Sequence, residues 1–307
     1  MEAERASGGE VSPAPARPTV LYIMGAGRSG STILGVALGN CQGFCFAGEL
    51  DRWFARSGVP RDGARRGGFW ASVLELVGDA GDLFAADTTV LERSSSLLHL
   101  ANRPARRRLR ARYREVSRAL YLAIARTSGA THIVDSSHYP LRARELMALP
   151  DIELYLLFLV RDPQSVVASL GRRDVPERRF AAPAANAYLW LTYLVSVLVF
   201  LRHPRRRRLL VRHEDFLADP DGVLRQILAQ CGAPAGVPDL SRLRVGVPFH
   251  GNRLIEADEV ALRAHREAPV RRSLLTRVLQ LPWTPVLSRL RPAAGSSERR
   301  EHSGATD

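Results

Sequence analysis

The chain has 307 residues, of which 46% are apolar and 24% charged, with a mean hydropathy of −0.11. That balance excludes a fibrous or wholly disordered protein and suffices for one large domain or two small ones. The net charge of +13 would argue for nucleic acid or an anionic surface, but all 44 Lys+Arg residues are arginine. Such one-sided usage fits GC-rich coding better than selected recognition, and no nucleic-acid partner is expected. Residues 1–18 have no apolar core and read as a disordered tail rather than a signal peptide, and 291–307 read as a second tail. Thr19 to Met24 is an apolar strand candidate that runs into Gly25-Ala-Gly-Arg-Ser-Gly-Ser-Thr32, and Ser31 to Leu38 follows with helical spacing. A second short apolar stretch, Cys45-Phe-Ala-Gly, ends at Glu49. Residues 50–128 break the pattern as a helical, Arg-rich insertion expected to pack over the site. Its Trp53, Phe54, Phe69 and Trp70 hint at a partly hydrophobic acceptor.

Strand–helix alternation then resumes. Thr131 to Val134 ends at Asp135-Ser136-Ser137 and precedes a helix at Leu141 to Leu149. Ile152 to Val160 is apolar throughout, as in a strand buried on both faces. It stops at Arg161-Asp162-Pro163, where Asp162 can cap a helix with Pro163 at its first position. Ala187 to Leu201 is the most apolar run, yet short of the roughly 20 residues of a membrane span. It reads as a buried helix, with peripheral membrane contact left open. Leu209 to Arg212 is the next strand and Pro220 to Cys231 the next helix. Residues 232–249 read as loop, and 257–290 as helix broken at Pro282-Trp283. The basic runs Arg106–Arg108 and Arg205–Arg208 read as solvated faces. Cys41, Cys45 and Cys231 lack metal-ligand spacing and fit a reducing cytoplasm. Such alternation implies an α/β fold: a parallel sheet flanked by helices, forming one domain over 19–290 with the insertion after its second strand. Ligands then bind beyond the carboxyl ends of the strands.

The opening loop nearly spells the nucleotide-phosphate motif G-x-x-x-x-G-K-[ST], but Ser31 stands where the lysine belongs. Its backbone N–H groups can surround a phosphate at a helix N-terminus, Ser31 and Thr32 add hydroxyls, and Arg28 adds charge. Without the lysine and an obvious acidic magnesium ligand, a single phosphate group suits it better than a triphosphate. A kinase with an atypical loop and a non-catalytic anion binder are the alternatives.

Gly27-Arg28-Ser29-Gly30-Ser31-Thr32 resembles the 5′-phosphosulfate loop of sulfotransferases that use 3′-phosphoadenosine 5′-phosphosulfate (PAPS), particularly the bacterial type with a P-loop-like fold. Arg161, closing a strand, with Ser169 eight residues on, is similar to the family's 3′-phosphate grip. That resemblance implies PAPS as co-substrate, an unidentified acceptor and no metal. Val134-Asp-Ser-Ser-His138 is similar to a family segment with a lysine near the transferring group, and here that position is His138. Glu49 follows Gly48 as the family's catalytic glutamate does, which implies a general base whose pKa partial burial raises. A structural ion pair to Arg52 or Arg28 is the alternative role. Arg212-His-Glu214-Asp215 resembles a structural family segment that implies tying roles for both acids. Gly251, Asn252 and Arg253 resemble a late loop covering the nucleotide.

Overall fold

The computed structural model describes residues 17–171, 180–265 and 273–290. The expected tails fall on 1–16 and 291–307, outside the described residues. Arg17 and Pro18 instead tie down a later strand, through Arg17 Nη2 to Ile152 O (3.1 Å) and Glu153 N–H to Pro18 O (2.9 Å).

In chain order the elements are β1 (Thr19–Gly25), α1 (Ser31–Gly39), β2 (Phe44–Gly48), α2 (Asp51–Ala55), α3 (Gly63–Val77), α4 (Gly81–Phe84), α5 (Thr89–Glu92) and α6 (Asn102–Ser128). There follow β3 (His132–His138), α7 (Pro140–Leu146), β4 (Glu153–Val160), α8 (Pro163–Leu170), α9 (Ala182–Arg202) and β5 (Arg208–Arg212). Last come α10 (His213–Ala218), α11 (Pro220–Cys231), β6 (Leu243–Arg244), β7 (Glu259–Val260), α12 (Leu274–Gln280) and α13 (Trp283–Arg289). The first five strands form one parallel sheet in the order β2-β3-β1-β4-β5, and β6 and β7 make a small antiparallel pair.

The sheet has no polar face, because both sides are roofed by helices. Alternate residues of one strand therefore enter different cores. Val20, Tyr22 and Met24 of β1 join Leu156, Phe158 and Val160 of β4 beneath the insertion helices, α7 and α9. Leu21 and Ile23 join Leu157 and Leu159 on the opposite face, under α1 and α11. From β1 the chain steps out to the β2 edge, returns through β3, then crosses β1 to β4 and β5. The crevice at this reversal lies at the carboxyl end of β1.

Some expectations change. Trp53, Phe54 and Trp70 are at most 1% exposed and pack on Phe84, Tyr113 and Phe249. They are core, so the acceptor hint drawn from them falls away. Arg106 is buried and donates to Ser96 O at 3.2 Å, because the start of α6 lies against that carbonyl. Among the described residues of 257–290, helix begins only at Leu274, and Glu259–Val260 is a strand pairing with Leu243–Arg244.

Candidate active site

Five strand ends deliver polar residues to one edge of the sheet. After β1 the backbone turns at Arg28, held in the left-handed region (φ 73°), and Gly30 (φ 91°) begins α1. A Cβ on Gly30 would run into the His213 ring, so glycine alone fits there. No side chain caps α1 and its first turn has no acid. The first N–H groups of an α-helix lack intrahelical partners and carry the positive end of its dipole. Ser31 and Thr32 are buried in this turn, and Ser29 is 1% exposed with an Oγ that has no hydrogen-bond partner. A buried hydroxyl left unsatisfied beside uncapped N–H groups is a seat for an anion.

Two further motif residues close on the same turn. Arg161, at the end of β4, donates Nη1–H to Arg28 O at 2.9 Å. Arg28 Nε donates to Ser169 Oγ at 3.2 Å, so Arg28, Arg161 and Ser169 stand together. Asp162 caps α8 by accepting from Ser165 N–H at 2.9 Å. Its own N–H reaches Glu214 Oε1 at 2.6 Å, and Glu214 Oε2 lies 3.5 Å from Arg212 Nε. Glu214 thus ties β5 to β4. Helix α9 supplies two tyrosines: Gly27 N–H donates to Tyr188 Oη (3.0 Å), and Tyr193 donates to Arg161 O (3.2 Å).

Glu49 leaves the end of β2. Gly48 before it adopts φ 79°, and a Cβ there would strike His250 O. The chain at 249–250 lies along this edge, with Phe249 N–H on Ala47 O (2.8 Å) and Glu49 N–H on His250 O (2.9 Å). The His250 ring then turns to Glu49, Nδ1 to Oε2 at 3.0 Å, and Arg52 Nε stands 4.0 Å from the same oxygen. Burial pushes the Glu49 carboxyl up. The His250 hydrogen bond and the charges of His138, His250 and Arg52 outweigh it, and hold the group below its ordinary value. The expected rise is therefore reversed, because cationic neighbours win over desolvation.

His138 ends β3 in the left-handed region (φ 56°). Its Nε2 is 3.8 Å from where a Gly27 Cβ would sit, and its charge also acts on Glu49, so the ring stands near both the loop and the glutamate. A buried network backs this turn. Ser137 Oγ accepts from Asp51 N–H at 3.0 Å and donates to Asp135 Oδ1. Asp135 Oδ2 accepts from Tyr121 (2.5 Å) and lies 3.5 Å from the fully buried Arg142. Arg142 also donates to Tyr113 Oη at 2.5 Å, and Tyr113 donates to Glu92 at 2.8 Å.

Gly251 is buried, with Thr32 Cγ2 3.7 Å from its Cβ position, so the 250–252 segment lies over the start of α1. Asn252 and Arg253 are exposed, and Asn252 Oδ1 caps the following 3-10 turn through Leu254 N–H (2.9 Å). The segment is held by α3 and the turn before it. Arg61 Nη1 donates to Gly251 O (2.9 Å), Arg66 Nη2 to Ile255 O (2.5 Å) and Trp70 Nε1 to Val247 O (2.9 Å). Hence Arg28 to Thr32, Arg161, Ser169, Glu49, His138 and Gly251 converge, while Asn252 and Arg253 sit at the rim. Sequence reasoning missed His250 as a partner of Glu49, His213 beneath Gly30, and Tyr188 on the loop. None has a local signal, since each acts on a residue more than 150 positions away. Among the described residues no group of three or more His, Cys, Asp or Glu is placed to hold a metal. All three cysteines are free and buried.

Comparisons agree with this architecture. A family profile described as "Sulfotransferase family" matches residues 19–238. Against curated proteins the chain has no significant match. The sulfotransferase domain from the curacin biosynthetic pathway superposes with a TM-score of 0.52 at 15% identity, over 88% of this chain and 98% of that one. The sulfotransferase domain of the Synechococcus PCC 7002 olefin synthase gives 0.48 at 20% identity, over 88% and 96%. A sulfotransferase from Alicyclobacillus acidocaldarius gives 0.39 at 17%, over 78% and 89%. With the profile covering most of the chain and the parallel sheet beneath it, the protein belongs to the sulfotransferase family.

Proposed function

We propose that the protein transfers a sulfuryl group from PAPS to an acceptor hydroxyl. The supporting observation is the meeting of Arg28, Arg161 and Ser169 at the uncapped start of α1, joined by hydrogen bonds of 3.2 and 2.9 Å. The loop from Gly27 to Thr32 holds the 5′-phosphosulfate, with N–H groups and the Ser29, Ser31 and Thr32 hydroxyls as donors. Arg161 and Ser169 hold the 3′-phosphate, a dianion suited to a planar guanidinium. Gly251, Asn252 and Arg253 cover the nucleotide.

Glu49 is the general base. The acceptor oxygen forms a bond to sulfur as the bond from sulfur to the 5′-phosphate oxygen breaks. The acceptor proton passes to the Glu49 carboxylate, and adenosine 3′,5′-bisphosphate leaves. Glu49 is ionised and ready for this role because His138, His250 and Arg52 favour its charged form. Arg28 and His138 face the charge that develops on the leaving oxygen. An Arg28 charge fixed beside the loop does without the lysine of nucleotide-triphosphate loops, which reaches for a phosphate this donor lacks.

Calorimetry decides the donor assignment. Adenosine 3′,5′-bisphosphate should bind far more tightly than AMP, and Arg161→Ala should erase most of that gap, on the order of 2–4 kcal/mol. Equal affinities for the two nucleotides in the wild type would refute it.

A further inference from the structure

Helix α12 is built inside out. Thr276 and Gln280 are 0% and 4% exposed, whereas Leu274, Leu275, Val278 and Leu279 are 74%, 48%, 61% and 40% exposed and the following Leu281 is 62%. The inversion has a structural cause. Asn186 Nδ2 of α9 donates to Thr276 Oγ1 at 3.1 Å, and Gln280 Nε2 donates to Asn186 Oδ1 at 3.0 Å. Gln164 of α8 clamps the helix start, accepting from Ser273 N–H (2.9 Å) and donating to Ser273 O (3.1 Å). These polar locks turn the leucines outward. Next to them α9 shows its own outward stripe, Trp190, Leu194, Leu198 and Leu201, at helical spacing. Trp190 Nε1 donates to Leu279 O (2.8 Å) and its ring meets Trp283 edge-on at 4.8 Å, so the two stripes adjoin. A contiguous apolar face of this kind marks a docking surface rather than ordinary exposure.

The rest of the chain has little to cover it with. Residues 291–307 contain no large apolar side chain, and 1–16, 172–179 and 266–272 contain only Met1, Val11, Val175 and Val270. Charge selects among external occupants. Neither 180–213 nor 273–290 contains an Asp or Glu, while Arg202, Arg205, Arg206, Arg277 and Arg289 on these segments are exposed. A second copy would set arginines against arginines, whereas an anionic lipid surface pairs with them. Helix α9 is long and apolar enough to span a bilayer, but its other side packs into the core beside β4 and α7, so it can lie on a membrane and not cross it.

We propose that this face docks on an anionic membrane, with α12 and the outer stripe of α9 in the boundary between headgroups and acyl chains and the arginines on lipid phosphates. The proposal does not depend on the sulfuryl-transfer reading, and its test uses no nucleotide. The full chain is floated with vesicles of phosphatidylcholine, with or without phosphatidylglycerol. Wild type should float with the anionic vesicles and stay down with the neutral ones. The triple variant Leu274→Ser, Val278→Ser, Leu281→Ser should lose binding roughly ten-fold or more, since these side chains supply inserted area. Arg277→Gln with Arg289→Gln should bind more weakly and with less dependence on salt. Quenching of Trp190 by brominated lipid in the wild type reports insertion even where the triple variant fails to fold. Three results would overturn the proposal: wild type that ignores anionic vesicles, a folded triple variant that floats equally well, or a wild-type dimer that the triple variant splits without any vesicle binding.

Discussion

Glu49 sits between two opposing forces, and the balance is measurable. Burial favours its neutral form, while the His250 hydrogen bond and nearby cations favour the carboxylate and prevail. A general base works only when ionised, so turnover should rise as pH climbs through the Glu49 pKa. His250→Ala removes a hydrogen bond and a charge but leaves the burial, so the acidic limb of the kcat profile should move to higher pH. His250→Gln, which keeps a donor, should move it less. A limb that stays in place in both variants would remove Glu49 as the titrating base. Glu49→Gln should cut turnover about 10²–10⁴-fold while bisphosphate affinity changes only a few-fold. Arg28→Ala should lower kcat more than donor affinity, because its charge counts most when the leaving oxygen becomes anionic. Steady-state kinetics beside calorimetry separates the two.

At the level of elements, the loop after β1 and the 247–255 segment over the start of α1 are both positioned by residues from distant parts of the chain. Gly30 combines a left-handed φ with the His213 ring directly against its α-carbon. Gly30→Ala is strained in any arrangement and should destabilise by about 1–3 kcal/mol, read as a lower melting temperature, together with weaker bisphosphate binding. The 247–255 segment depends on the insertion: α3 reaches it through Arg66 and Trp70. Trp70→Phe keeps most of the ring and deletes the Nε1 bond to Val247 O. It should cost about 0.5–1.5 kcal/mol in urea denaturation. Because the same segment carries His250, it should also shift the acidic limb in the direction of His250→Ala. The insertion was legible as helical and Arg-rich, but its role in gripping a loop 177 residues downstream was not.

Across the whole molecule, the buried charges under β3 set a pH dependence of stability. Burial pushes the Glu92 carboxyl up to about 7, against the pull of Arg142 and Tyr113. Its pKa in the unfolded chain is about 4.3, so the folded state holds the extra proton through that window. Stability from this group is complete below the unfolded pKa and is lost as pH rises through about 7, by an amount on the order of 3–4 kcal/mol. Glu92→Gln should remove that decline. The difference in urea midpoint between variant and wild type should therefore grow in the variant's favour from acidic to mildly alkaline pH. A difference that does not change with pH would mean Glu92 is ionised in the folded protein.

Local sequence determined a good deal here. Unbroken apolar runs mark β1, β4 and β5 because a strand roofed on both faces loses the polar alternation of a half-exposed one, and the β1 turn announces itself through its glycines and hydroxyls. Asp162-Pro163 starts α8 by the capping its residue types dictate. Arg28, Arg161 and Glu49 could be named because each follows a strand, and a parallel sheet gathers its carboxyl ends at one edge, whereas Ser169, near the end of α8, could be named only through the family resemblance. Tertiary structure alone decided the rest. It set β2 at the sheet edge with 249–250 laid beside it, and it paired Glu49 with a histidine 201 residues away, which reversed the expected direction of the glutamate's pKa. It drew Trp53 and Trp70 into the core and turned the leucines of α12 outward, because Asn186 offered Thr276 and Gln280 buried partners. The physical reason is common to all of these: burial and electrostatic balance are sums over neighbours in space, and a contact between distant positions leaves no periodic trace along the chain.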